Sequence, residues 1–146
     1  MSDVRPIHNL AEFRAAFPDD AVLSPSGDID VPAGKAVADC IVAALRAKAI
    51  VAQAASQHEF YGWRFTAQHA GHIFWFILQY AEPYILECGI KRSLWDRLRR
   101  KPNGAAFSEM LKTVDDILKG DPQFNNINWY TSDEYIASKR RKNKPV

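Results

Sequence analysis

Hydrophobic and polar positions alternate through the middle of the chain with the period of two that β-strands show. The segment 59–68, "EFYGWRFTAQ", directs apolar residues to one side and glycine or polar residues to the other. The next apolar segment, 72–80, "HIFWFILQY", is apolar on both sides. A strand of that kind belongs in the middle of a sheet or beneath cover on both faces. The two segments predict neighbouring antiparallel strands.

The turn between these strands leaves two registers open. A three-residue turn with Gly71 in the left-handed conformation would pair Phe65 with Trp75 and mix polar with apolar residues on one face. A four-residue loop from His69 to His72 instead pairs Phe65 with Phe76, which gives one wholly apolar face and one mixed face. Because a slip of one residue moves every side chain to the other face, burial of the apolar set favours the second register.

The mixed face of this predicted hairpin is a candidate interface. Tryptophan and arginine among neutral polar groups are the composition expected of a protein-binding hot spot. The alternative is that a helix or the last strand covers the apolar residues, since large exposed apolar patches are uncommon on monomers. The candidate interface consists of Arg64, Thr66, Ile73, Trp75, Ile77 and Gln79.

A period near 3.6 predicts two amphipathic helices on either side of the strands. In 34–49 an apolar residue recurs every four positions at Val37, Ile41 and Leu45. The segment 105–120 carries the clearest apolar stripe and ends at a glycine, which is a natural helix stop. That stripe consists of Phe107, Met110, Leu111, Val114, Ile117 and Leu118.

Shorter elements are predicted from local signals. Asn9 and Glu12 fit a capping box, which predicts a short helix in "NLAEFRAAF" that Pro18 ends. The loop that follows is rich in turn formers, and Asp28 and Asp30 are interpreted as turn residues. Further strands are predicted at 49–56, 83–90 and 124–130, and further helices at 94–100 and from Ser132 onward.

The order of these elements predicts the fold class. A run of strands bracketed by helices favours α+β, with helices packed mainly on one face of an antiparallel sheet of about four to five strands. The 146 residues suit a single domain, predicted over 1–138. Residues 139–146 are expected to form a flexible basic tail.

Charge is unevenly distributed along the chain. The net charge is +2, from 19 basic and 17 acidic residues. The segment 139–144 holds five basic residues, and 91–101 holds six beside one acid, which leaves a net charge of −8 elsewhere. Such a balance disfavours binding to a long phosphate backbone. A candidate basic patch remains in the second segment: Lys91, Arg92, Arg97, Arg99, Arg100 and Lys101.

No motif for catalysis or for a cofactor is present. A metal ion needs three or four converging ligands, and His58 lies too far along an extended strand to join His69 and His72. Cys40 and Cys88 lie in apolar segments without CxxC spacing and are interpreted as reduced, buried thiols. Nucleophile elbows and glycine-rich phosphate loops are missing. We therefore predict no catalytic residue, no metal and no cofactor.

These observations favour a non-enzymatic protein-binding module over an enzyme. In size, acidic body and lack of a catalytic motif, the chain is similar in general character to small bacterial immunity and inhibitor proteins, which bind and neutralise a toxin. The alternative is a small-ligand binder or enzyme with an aromatic cavity between sheet and helices. Nucleic-acid binding through the basic segments ranks third. No signal peptide and no membrane-length apolar run are found, so a cytoplasmic protein without a membrane partner is expected.

Overall fold

The computed structural model describes residues 7–58, 62–80, 83–91 and 104–142, and the helix predicted at 94–100 lies outside them. The main sheet has seven strands, and all its pairings are antiparallel. They are β1 (Leu10–Ala15), β4 (Val51–Ala52), β5 (Ser56–His58), β6 (Gly62–His69), β7 (His72–Tyr80), β8 (Tyr84–Lys91) and β9 (Phe124–Tyr130). A separate ribbon pairs β2 (Val22–Leu23) with β3 (Ile29–Val31).

The order across the sheet is β4, β6, β7, β8, β1 and β9, with β5 also pairing with β6. The strand β7 therefore lies inside the sheet between β6 and β8, as predicted for a segment that is apolar on both sides. The predicted fold class, α+β with an antiparallel sheet, is confirmed. The sheet is wider than the four to five strands expected, because β1 joins it and because the first edge is divided into β4 and β5.

The predicted hairpin register is confirmed. Phe65 pairs with Phe76, so one face of the hairpin is wholly apolar and the other is mixed. The turn is tighter than a four-residue loop, since His69 and His72 themselves pair. Its two central residues, Ala70 and Gly71, both have a positive φ, of 52° and 79°. A primed turn of this kind matches the right-handed twist of the strands.

The helix predicted in "NLAEFRAAF" is wrong, because this segment forms strand β1 between β8 and β9. Leu10, Ala11 and Phe13 are all buried there. Asn9 does not cap a helix; its Nδ2 donates to the Cys88 carbonyl at 2.9 Å, and its own carbonyl accepts from the Cys88 N–H. Pairing with two neighbouring strands overrides the local capping signal.

Two helices cover the inner face of the sheet, α1 (Lys35–Ala47) and α2 (Gly104–Gly120). The predicted stripe of α1 is buried, and so is that of α2 except for Leu111, which is half-buried at the margin. Between helices and sheet the aromatic rings pack on one another, and the rings of Phe65 and Phe76 stack at a centroid distance of 4.9 Å. Burial of this core is the main stabilising term of the fold.

Asp20 holds the start of α1 from outside the helix. Its two carboxylate oxygens accept from the backbone N–H groups of Gly34 and Ala36 at 2.8 and 2.9 Å. This contact satisfies two of the N–H groups that a helix start leaves unpaired. Asp20 therefore has a structural role.

A third helix, α3 (Ser132–Lys142), follows β9 and extends into the segment predicted as a tail. Thr131 caps it through a bond from the Glu134 N–H to the Thr131 Oγ1 at 3.1 Å. Tyr135 and Ile136 line a groove with residues of the outer sheet face. Within the described ranges no helix is long and apolar enough to cross a membrane.

Candidate functional site

The outer face of the sheet brings the six predicted interface residues together. Across β6, β7 and β8 the paired residues on this face form four rows, because opposite residues of a ladder share a face. These rows are Gly62–Gln79–Ile85, Arg64–Ile77–Glu87, Thr66–Trp75–Gly89 and Gln68–Ile73–Lys91. The candidate residues thus lie on β6 and β7, the two strands of the hairpin.

This part of the outer face is open to solvent. Arg64 is exposed, Ile73 is 37% exposed, and Trp75 is half-buried. Thr66, Ile77 and Gln79 are half-buried as well. Neither α1 nor α2 covers them, because both helices pack on the opposite face. A half-buried tryptophan beside exposed isoleucine forms an apolar surface that water contacts.

The Trp75 indole ring packs against Gly89. The two residues are directly paired in the ladder between β7 and β8. A Cβ built on Gly89 would overlap Trp75 atoms Cε2, Cζ2 and Nε1. Because Gly89 has no side chain, the indole ring can approach the strand closely at this position. Glycine often has this role inside strands. The indole nitrogen consequently lies on the β8 side.

The indole N–H groups of the three described tryptophans differ in their partners. Trp63 donates to the Pro32 carbonyl at 3.1 Å, and Trp129 donates to Asp115 Oδ1 at 2.9 Å. Trp75 has no hydrogen-bond partner among the residues that the structure describes. A buried indole N–H is usually paired. The buried Trp63 and the half-buried Trp129 both follow this rule, whereas Trp75, which is also half-buried, is unpaired within the described residues.

Charged groups surround Trp75 without forming ion pairs in the described part of the chain. Arg64 and Lys91 are both exposed, and Glu87 is half-buried. The described ion pairs lie elsewhere, as His8–Glu134, Lys35–Asp39 and Lys119–Asp115. Of the predicted basic patch, Lys91 ends β8 on this face; Arg92, Arg97, Arg99, Arg100 and Lys101 lie outside the described residues.

Helix α3 covers the other end of the same face. Leu10 and Ile85 point to the outer side yet are only 7% and 6% exposed. A groove of about 200 Å³ remains between helix and sheet, and Ile136 on the helix is still 49% exposed. The groove is lined by Leu10, Ile77, Gln79, Ile85, Glu87, Ser132, Tyr135 and Ile136. The outer face is therefore half covered and half open. The sequence left two alternatives, an open face and a covered face, and the structure lies between them.

His69 and His72 lie at the hairpin turn, where His72 contacts the ring of Phe74. No group of three or more histidine, cysteine, aspartate or glutamate residues that could hold a metal ion is found among the described residues.

Both cysteines are free thiols. Burial, and secondarily the neighbouring Glu87 charge, raise the pKa of the Cys88 thiol far above its ordinary value. Burial also raises the pKa of Cys40, with the charge of Asp121 and a 3.8 Å bond from its Sγ to that carboxylate adding to the effect. Thiols held in the neutral form are poor nucleophiles.

Cavities lined by described residues lie at strand ends, at the hairpin turn and under α3. One of about 390 Å³ is open at the ends of β1 and β8, beside Arg14, Phe17 and Tyr84. Another of about 350 Å³ surrounds the hairpin turn at 68–73. The third is the groove under α3.

Sequence reasoning missed Gly89 and Ile85 as members of the outer face. The alternation in "PYILECGI" contains the signal, because Ile85, Glu87 and Gly89 share one side when Cys88 faces inward. A glycine inside a strand is itself a sign of close approach by another group. Nothing local indicates that α3 folds back over Leu10.

Comparison of the chain with protein-family models, with curated protein sequences and with solved structures finds no match.

Proposed function

We propose that the protein is a non-enzymatic protein-binding module whose binding surface is the open half of the outer sheet face. The observation that carries this proposal is Trp75, half-buried on Gly89 with its indole N–H unpaired among the described residues. Aromatic anchors of this kind dominate the energetics of protein interfaces.

The surroundings of Trp75 support the same proposal. Ile73 and Ile77 flank it along β7, and Arg64, Thr66 and Gln79 surround this apolar centre with polar groups. An apolar centre within a polar rim is the usual anatomy of an interface. The inhibitor-type proteins, including bacterial immunity proteins, are the class whose general character the chain shares. Two free thiols, one of them buried, fit a cytoplasmic location.

Selection of peptides from a random displayed library against the full-length protein tests the proposal. We expect peptides whose affinity falls by about 30-fold, or about 2 kcal/mol, in Trp75→Ala, as at a central anchor. Val22→Ala is the matched control, because Val22 is an exposed apolar residue on β2, in the ribbon that is separate from the main sheet. Affinities measured by calorimetry should be unchanged in the control. Peptides that bind equally well to Trp75→Ala would place the binding surface elsewhere.

A further inference from the structure

In the described part of the chain, a carboxylate is held between an indole N–H and an ammonium group. Asp115 accepts from Trp129 Nε1 at 2.9 Å through Oδ1, and Lys119 Nζ lies 2.9 Å from its Oδ2. Such charge-assisted bonds are among the stronger polar contacts of proteins. In this cluster the acid, the donor and the cation all come from the same chain.

Around Trp75 the outer face holds an indole N–H and an ammonium group, and no carboxylate of the described residues is bonded to either. The Trp75 indole nitrogen lies over Gly89 on the β8 side. Lys91 is the next residue on the same face of β8, diagonal to Trp75 in the ladder. Long side chains can span a diagonal of this kind. Neither the indole N–H nor the Lys91 ammonium has a partner among the described residues.

Glu87, the other outward neighbour of Gly89 along β8, does not complete the cluster. It makes no hydrogen bond to Trp75 and no ion pair with the described cations. Arg64 adds a second exposed cation across β7, so the described residues diagonal to Trp75 in the two ladders include two positive charges and one negative charge. A surface with an excess of positive charge around an apolar anchor is complementary to an acidic segment.

We infer that the partner is a protein segment with an acidic side chain, and that its carboxylate accepts from the Trp75 indole N–H beside the Lys91 ammonium. This inference rests on the proposed function, because it names the chemistry of the partner for the same surface. Glu87 restricts where the acid can lie, since a carboxylate placed on its side of Gly89 would be repelled.

The test uses the peptide of highest affinity from the selection on the full-length protein. We expect aspartate or glutamate in the selected peptides, and a loss of about 10-fold when that residue is changed to asparagine or glutamine. The loss should shrink to about 2-fold in Lys91→Gln, because the variant has already removed the cation that the acid contacts. Lys112→Gln, at an exposed position on α2, is the control and should keep the full 10-fold loss.

A spectroscopic readout locates the contact. The indole N–H resonance of Trp75, assigned by its loss in Trp75→Phe, should move downfield with the acidic peptide and much less with its amide counterpart. Peptides that need Trp75 but bind as well in the amide form would overturn the acidic partner and leave the proposed function standing.

Other occupants of the surface would each give a distinct result. Binding of a short oligothymidylate that Trp75→Ala abolishes and that displaces the peptide would show a nucleic-acid surface and overturn the inference. Self-association in sedimentation velocity that Trp75→Ala abolishes would show that a second copy occupies the face, with the same consequence. If no selected peptide depends on Trp75, both the inference and the proposed function fail.

Discussion

At the scale of single residues, the contact with Gly89 holds the Trp75 indole ring against the outer face of the sheet. Trp75 was predictable from the alternation in "HIFWFILQY", because its face follows from the register. The contact of Trp75 with Gly89 was not predictable, because the ladder between β7 and β8 must be known before Gly89 can be placed opposite Trp75.

Gly89→Ala tests this contact. The new methyl group must push the indole off the sheet, so we expect the free energy of unfolding to fall by no more than in Trp75→Ala. In the Trp75→Ala background the same change should cost less than about 0.5 kcal/mol, since the steric conflict is gone. Chemical denaturation of the two single variants and the double variant measures this coupling. Additive effects would show that Gly89 has a separate role.

The Cys88 thiol makes the stability of the fold depend on alkaline pH. In the unfolded chain a thiol has a pKa of about 8.5, whereas burial and then the Glu87 charge raise the pKa of Cys88 in the folded protein. Above about pH 8.5 the unfolded state therefore loses a proton that the folded state keeps, so the free energy of unfolding decreases as pH rises. Cys40 adds a contribution of the same sign.

Cys88→Ala should remove much of this dependence. Between pH 8 and 10, denaturation curves should show the free energy of unfolding of the wild type falling more steeply, by about 1 kcal/mol per pH unit, than that of the variant. The comparison between the two proteins cancels the titration of lysine and tyrosine side chains. Parallel pH profiles would contradict the burial of Cys88 as a neutral thiol.

At the scale of elements, the sequence predicted well where periodicity is long and burial is one-sided. The hairpin register and the helices α1 and α2 followed from apolar patterning, because a slip would expose the core. Strand β1 did not, since six residues with a capping signal are locally compatible with a helix and only pairing with β8 and β9 decides the matter. The β2–β3 ribbon was likewise not predicted, because it lies in a segment rich in turn formers.

Helix α2 offers a graded test of the predicted stripe. Leu118 is fully buried whereas Leu111 lies half-buried at its margin. We expect Leu118→Ala to lower the free energy of unfolding by about 2–5 kcal/mol through transfer and cavity terms. Leu111→Ala should cost less than about 2 kcal/mol, because fewer contacts are lost. Urea denaturation of both variants checks the order, and equal losses would contradict the placement of the helix.

At the scale of the whole molecule, the two faces of the sheet differ in the elements that cover them. The inner face and two helices form the core, in which Trp63 is 5% exposed and donates its indole N–H to Pro32. The outer face carries α3 at one end and an open, cation-flanked tryptophan at the other. The alternation in the sequence predicted that the mixed face would differ from the core. It did not predict that α3 lies over Leu10 and Ile85, because these contacts join segments that are distant in the sequence.

The most direct measurement compares Trp75→Ala with Trp63→Ala by chemical denaturation, since both change a tryptophan of the same hairpin. Trp63→Ala should lower the free energy of unfolding by about 3–5 kcal/mol, as expected for a core tryptophan. Trp75→Ala should cost less than half as much, because the ring is half-buried on the open face and is available for a partner. An equal loss in the two variants would mean that the fold itself needs Trp75, and that the outer face is not a binding surface.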